Sequence, residues 1–89
     1  MDEESLDLAR SEIDRIDTEI AALLAQRMAA VDRIARWKKA HGMPVAIPSR
    51  EEEIICRLRE SGGEFCADEV ETVYRTLFAV CRKRQEKEM

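Results

Sequence analysis

LDLARSEIDRIDTEIAALLAQRMAAVDRIARWKKA, residues 6–40, decides the fold. Leu6, Ile13, Ile16, Ile20, Leu23, Leu24, Val31 and Ile34 recur at the three- and four-residue spacing of a single helix face. No Pro or Gly falls between Leu6 and His41. Sharp kinks in helices nearly always have such a cause, so one unbroken helix is expected. It would be ~52 Å long at ~1.5 Å per residue, whereas a chain of 89 residues folds to a radius of gyration of roughly 12 Å. The apolar stripe must be covered along its whole length, and a second copy of the chain, most simply in a two-fold dimer, is the expected cover.

Cations interrupt this stripe. At ~100° per residue, Arg27 and Lys38 fall on the same side as Ile16, Ile20 and Ile34, with Arg10 at the edge beside Met28. A buried charge is costly unless paired, so cations converging on an apolar interior suit a small, multiply charged anion. Arg27 and Lys38 are eleven residues apart, or ~16 Å along the axis, close enough for two long side chains to grip one ligand. Arg10 precedes Arg27 by seventeen residues, ~25 Å, too far to share that ligand within one chain. If the helix pairs antiparallel with its mate near residues 20–24, Arg10 of one chain lands beside the 30s of the other. Each cation also has a plainer reading: Lys38 snorkels at a helix end and complements its dipole, and Arg27 bridges to Asp17, Glu51 or another carboxylate.

Beyond the first helix, Gly42 supplies a stop and Pro44 forbids easy continuation. Residues 43–48 form a short connection. Ser49, with Glu52 three residues on, reads as the capping box of a second helix whose apolar face is Ile54, Ile55 and Leu58. Ser61-Gly62-Gly63 breaks it. A third helix starts near Ala67 or Asp68, with Val70, Val73, Tyr74, Leu77, Phe78 and Cys81 as its stripe. Gln85, one turn beyond Cys81, is the only uncharged amide on that stripe, and the tail after it is expected to fray. The expected architecture is all-α: one long, one short and one medium helix, in a single domain spanning residues 1–89.

The totals agree. The chain is 45% hydrophobic, 38% charged and 4% aromatic, with three Gly and two Pro, a helical composition. A formal net charge of -4 argues against nucleic acid as a partner. The acidic N-terminus has no signal-peptide core, and no run approaches the ~18 apolar residues of a membrane span. Cys56, Cys66 and Cys81 are odd in number and lack CxxC spacing. They read as free thiols of a cytoplasmic protein, and with His41 they are poorly spaced for zinc. There is one His and no phosphate-binding Gly loop. An enzyme built on this chain would work without cofactor or metal, by holding a reactive conformer and stabilising developing charge.

Three segments, LDLARSEIDRIDTEIAALLAQRMAAVDRIARWKKAHGMPV, PSREEEIICRL and VYRTLFAVCRKRQ, resemble the all-helical class of chorismate mutases over residues 6–85. The most specific pieces are Arg10, Ile13 and Ile16-Asp17, the Leu24 to Arg27 step, Lys38, Arg50-Glu51 and Gln85. The resemblance implies an intertwined homodimer and the rearrangement of chorismate to prephenate, on the route to phenylalanine and tyrosine. It implies that Arg27, with Arg10 from the second copy, holds the two carboxylates. Lys38 and Gln85 would donate to the ether oxygen, Lys38 also reaching a carboxylate. Glu51 would accept from the ring hydroxyl, and Arg50 would order the connection and complete the positive wall. Cys81 occupies a position where relatives often have Ser, and Ile47 one where well-known members carry Asp. Isochorismate–pyruvate lyases and 4-amino-4-deoxychorismate mutases share the helical architecture. The thirteen positions from Lys38 to Glu51 match the mutases. A non-catalytic helical dimerisation module, its polar stripe residues merely setting register, is the alternative of a different kind.

Overall fold

The computed structural model describes residues 2–61 and 66–88, the last by its backbone alone. Three helices follow one another, α1 (Glu3–His41), α2 (Pro48–Ser61) and α3 (Ala67–Glu88), with no strand among the described residues. The fold is all-α, as the sequence implies. Two units divide the chain, Met1–Ala30 and Val31–Met89, and α1 contributes to both.

In the first unit α1 begins earlier than its apolar repeat. Asp2 caps it, its carboxylate accepting from the Ser5 N–H at 2.7 Å and its carbonyl from the Leu6 N–H at 3.0 Å. Hydrogen bonding from Ser5 holds the Asp2 carboxyl below its usual range. Leu6, Ile13, Ile16, Ile20, Leu23 and Leu24 are all exposed in the single chain, as is Arg10, while Arg27 is half-buried.

The second unit holds the core. Ile54 and Ile55 of α2 pack with Phe78 of α3, flanked by Leu58 and Tyr74. Tyr74 meets Phe78 edge-on, ring centroids 6.0 Å apart. Each such buried side chain contributes about 2 kcal/mol. Around this contact runs a chain of ion pairs: Arg75 bridges Glu52 of α2 and Glu71 of α3, and Arg59 reaches Glu71 and Asp68. Pairs this exposed contribute about 0–1 kcal/mol each, so they set the register of α2 on α3 more than they hold the helices together. Val31, Ala35 and Lys38 are the buried residues at the C-terminal end of α1. Asp32, on the same segment, accepts from Nε and Nη2 along one edge of the Arg84 guanidinium at 2.6 and 2.8 Å, which lowers the Asp32 carboxyl pKa.

Gly42 ends α1 as expected, with φ at +66°. The Met43 N–H returns to the Lys38 carbonyl at 2.9 Å and the Gly42 N–H to that of Lys39 at 3.4 Å. Together these are the paired bonds of a Schellman cap. Two expectations fail. Ser49 does not open α2: the Ile47 carbonyl accepts from the Arg50 and Glu51 N–H groups, and Pro48 is the first helical residue. Proline suits that place because its φ is preset and its missing N–H would have no partner there anyway; Ser49 is therefore already inside the helix. Nor does α3 fray after Gln85; it continues to Glu88, so Gln85 sits within helical backbone. α2 ends at Ser61, and Gly62 and Gly63 of the expected break lie outside the described residues.

Candidate functional site

Lys38 is the centre of the polar cluster in the second unit. Only 8% of its surface is exposed, and its ammonium donates to the Val45 carbonyl at 2.8 Å and to Gln85 Oε1 at 2.9 Å. The Schellman cap fixes its backbone from the other side, because the carbonyl taken by Met43 is Lys38's own. An ammonium has three donors and no acceptor. It therefore faces the oxygen of the Gln85 amide and holds one more donor than these two acceptors take. With its oxygen so engaged, the Gln85 amide has its NH₂ left to donate elsewhere. Gln85 is itself 8% exposed.

Burial pushes the Lys38 pKa below the ordinary lysine value, and the Glu51 carboxylate pulls it partly back. The sign matters. A depressed ammonium pKa means that the charged form costs the fold stability, and stability rises as pH climbs from the folded toward the unfolded lysine value. A bound anion would reverse that cost. The end of α1 is thus a place where a cation is held at the expense of the empty protein.

Glu51 stands in the first turn of α2. Its Oε2 accepts from Arg82 Nη1 at 2.6 Å, an ion pair about one-third exposed on the Arg82 side and less on the other. Arg82 lies three residues before Gln85 on α3, so the two share a helix face. The buried Cys81 is four residues before Gln85 and lies on the same stripe. Lys38, Glu51 and Gln85 are therefore gathered from three helices into one cluster, with Cys81 one turn from Gln85 along α3. Ile47 is half-buried and takes part through its backbone, whose carbonyl starts the turn that carries Glu51. Arg50 turns to the surface, pairing with Glu53 at 2.8 Å where both side chains are more than half exposed. Arg10 and Arg27 belong to the first unit.

Two members of the cluster escape the sequence reading. Val45 contributes a backbone carbonyl, which no residue type encodes. Arg82 is one of the charges in CRKRQEKE and reads as solvated surface. Its place one turn from Gln85 was the available signal. Among the described residues, no group of three or more His, Cys, Asp or Glu is placed to hold a metal ion, and no helix is long and apolar enough to cross a membrane.

The sequence that builds this cluster has relatives among known proteins. The profile of the family described as chorismate mutase type II matches residues 9–86, and the chain belongs to that family. It is 37% identical over 89 residues to the bifunctional chorismate mutase/prephenate dehydratase of Aquifex aeolicus, an alignment covering 94% of this chain and 25% of that protein. It is 36% identical over 74 residues to the T-protein of Haemophilus influenzae, covering 81% of this chain and 20% of the other. A chorismate mutase of Methanocaldococcus jannaschii is 36% identical over 66 residues, 74% of this chain and 67% of that one. The chain thus spans a quarter or less of the length of the first two relatives. No solved structure matches it significantly.

Proposed function

We propose that this chain is a chorismate mutase, an isomerase that converts chorismate to prephenate by a cofactor-independent Claisen rearrangement in phenylalanine and tyrosine biosynthesis. The observation that carries the reading is the Lys38–Gln85 pair, 2.9 Å apart and shielded from water. In this rearrangement the ether C–O bond breaks as a C–C bond forms within the same molecule, and negative charge builds on the ether oxygen. The ammonium of Lys38 and the amide NH₂ of Gln85 converge as two donors for that oxygen. Their interaction strengthens as charge develops, so it lowers the barrier and does not merely tighten binding. Ionised chorismate carries a single O–H donor, its ring hydroxyl, and Glu51 is the carboxylate acceptor beside Lys38 that suits it. Arg27 holds one carboxylate through its planar fork, and Arg10 of a second copy holds the other.

That second copy is part of the proposal. The exposed ladder from Leu6 to Leu24 is a larger apolar surface than a single soluble chain keeps in water, and a homodimer covers it. The three helices then form one domain over residues 1–89, with a site built from both chains. Ile47 and Cys81 complete the binding wall, while Arg50, paired with Glu53 at the surface, is not part of it. The free thiols suit the reducing cytoplasm.

The test is direct. Incubated with chorismate, isochorismate and 4-amino-4-deoxychorismate in turn, the protein should give prephenate from the first. Pyruvate release from the second, with chorismate untouched, would make it a lyase instead. Turnover of none of the three would leave a dimerisation module.

Gln85 gives a finer check. Gln85→Ala should lower kcat about 10²- to 10³-fold, as loss of one preorganised oxyanion donor does, with a smaller change in KM. In Gln85→Glu the ionised carboxylate would pair with Lys38 and repel the developing charge, while the protonated acid could donate in the amide's place. Activity of this variant should climb as pH falls toward the carboxyl range, a slope absent from the parent. A Gln85→Glu enzyme with the parent's rate and pH profile would remove Gln85 from the ether oxygen.

A further inference from the structure

Arg82 is the cation of the cluster to which the rearrangement assigns no task. Its guanidinium takes Oε2 of Glu51 at 2.6 Å, and it stands one turn from Gln85 on the same face of α3. Glu51 is therefore flanked by two positive groups, Lys38, whose pKa it influences, and Arg82. Counting one carboxylate against two cations, the cluster carries a net charge of about +1 at neutral pH. An unaccompanied Glu51 would do the opposite. A lone, partly desolvated carboxylate attracts a protonated amine more strongly than a neutral hydroxyl, because the bond to a cation is charge-assisted.

We propose that Arg82 is the residue that sets which ring substituent the site accepts. By occupying one oxygen of Glu51 and cancelling its charge, it leaves an acceptor for a neutral hydroxyl and repels a substrate bearing an ammonium at the same ring position. This rests on the mutase reading above and deepens it. The site selects the hydroxy over the 4-amino form of its substrate, and it does so by adding a repulsive element as well as an attractive one. Arg82 is a specificity residue acting through Glu51 and the local field. Both substrates react by the same intramolecular exchange of a C–O for a C–C bond, so neither needs a co-reactant, and their comparison isolates the ring substituent.

The experiment measures kcat/KM for chorismate and 4-amino-4-deoxychorismate with the parent and three variants, identifying the rearranged product each time. Arg82→Ala should raise the amino-to-hydroxy ratio about tenfold or more, since one nearby unit charge is removed from a partly desolvated site. Arg82→Lys keeps the charge and should keep the parent ratio. Glu51→Gln leaves both cations uncompensated and should move the ratio the other way, against the amine. Arg82 is partly exposed, so its truncation is expected to leave the helices intact, and circular dichroism checks this. Should Arg82→Ala not fold, Arg82→Gln, which removes the charge but keeps most of the side chain, carries the same test. Equal loss on both substrates in Arg82→Ala, its ratio unmoved, would reduce Arg82 to a structural ion pair and overturn the inference while the mutase reading stands. A parent protein that rearranges neither compound would overturn both.

Discussion

Replacing Lys38 by methionine should abolish most of the catalysis and none of the fold. The variant keeps the stem that packs at the end of α1 but loses the ammonium, and with it both the proposed donor to the ether oxygen and the anchor that orients the Gln85 amide. One oxyanion donor is worth about 10²- to 10³-fold in kcat. Losing a donor and disorienting its neighbour should therefore cost at least ~10³-fold, mainly in kcat. Stability should hold or rise slightly. Desolvation is the main influence on the Lys38 pKa, so the empty protein is relieved of a charge it holds at a cost, although Gln85 and Val45 each lose a partner. The parent enzyme should show the same physics in its pH profile. kcat/KM should fall at alkaline pH, at a lower pH than an ordinary lysine would dictate, and the fall in kcat should come at higher pH because bound substrate favours the ammonium. A Lys38→Met enzyme within tenfold of the parent rate would remove the ammonium from the reaction.

The second large effect is a recovery. Arg10→Ala and Arg27→Ala chains should each be nearly inactive alone. The two arginines are seventeen residues apart on one helix, ~25 Å, so the proposed site can use both on one small substrate only if they come from different chains. When the two variant proteins exchange subunits, each mixed dimer contains one site lacking both arginines and one lacking neither. Random assortment makes half the dimers mixed, so activity should return to about a quarter of the parent's. Exchange demonstrated by differential labelling, with no activity regained, would place both arginines in the same chain's site and end the shared-site reading.

What the sequence disclosed depended on whether a residue's neighbours on the chain were also its neighbours in space. The α1 ladder and the Gly42 stop are local patterns, and they were legible. Lys38 and Gln85 were visible as polar residues on apolar stripes, although nothing in the sequence says that they bond each other across forty-seven positions. Ser49 misled because serine is the commoner helix opener, while the adjacent Pro48 held the stronger geometric claim. Arg82 stayed hidden because it sits in a run of surface charges, and only the packing of α2 on α3 brings Glu51 to it. Val45 could not be found at all, since every residue has a carbonyl.

The same forty-seven-residue closure bears on how the protein comes to work. Helices form from near neighbours in about a microsecond. A contact between distant positions must wait until the intervening chain has been gathered in, against its loop entropy. Lys38 reaches its final place only when the turn after α1 has closed on it from Met43 and Val45 and the end of α3 has arrived with Gln85. Helicity should thus return early in refolding and catalytic competence last. A chain in which Gln85 has not yet reached Lys38 should therefore hold its helices and lack the proposed catalysis.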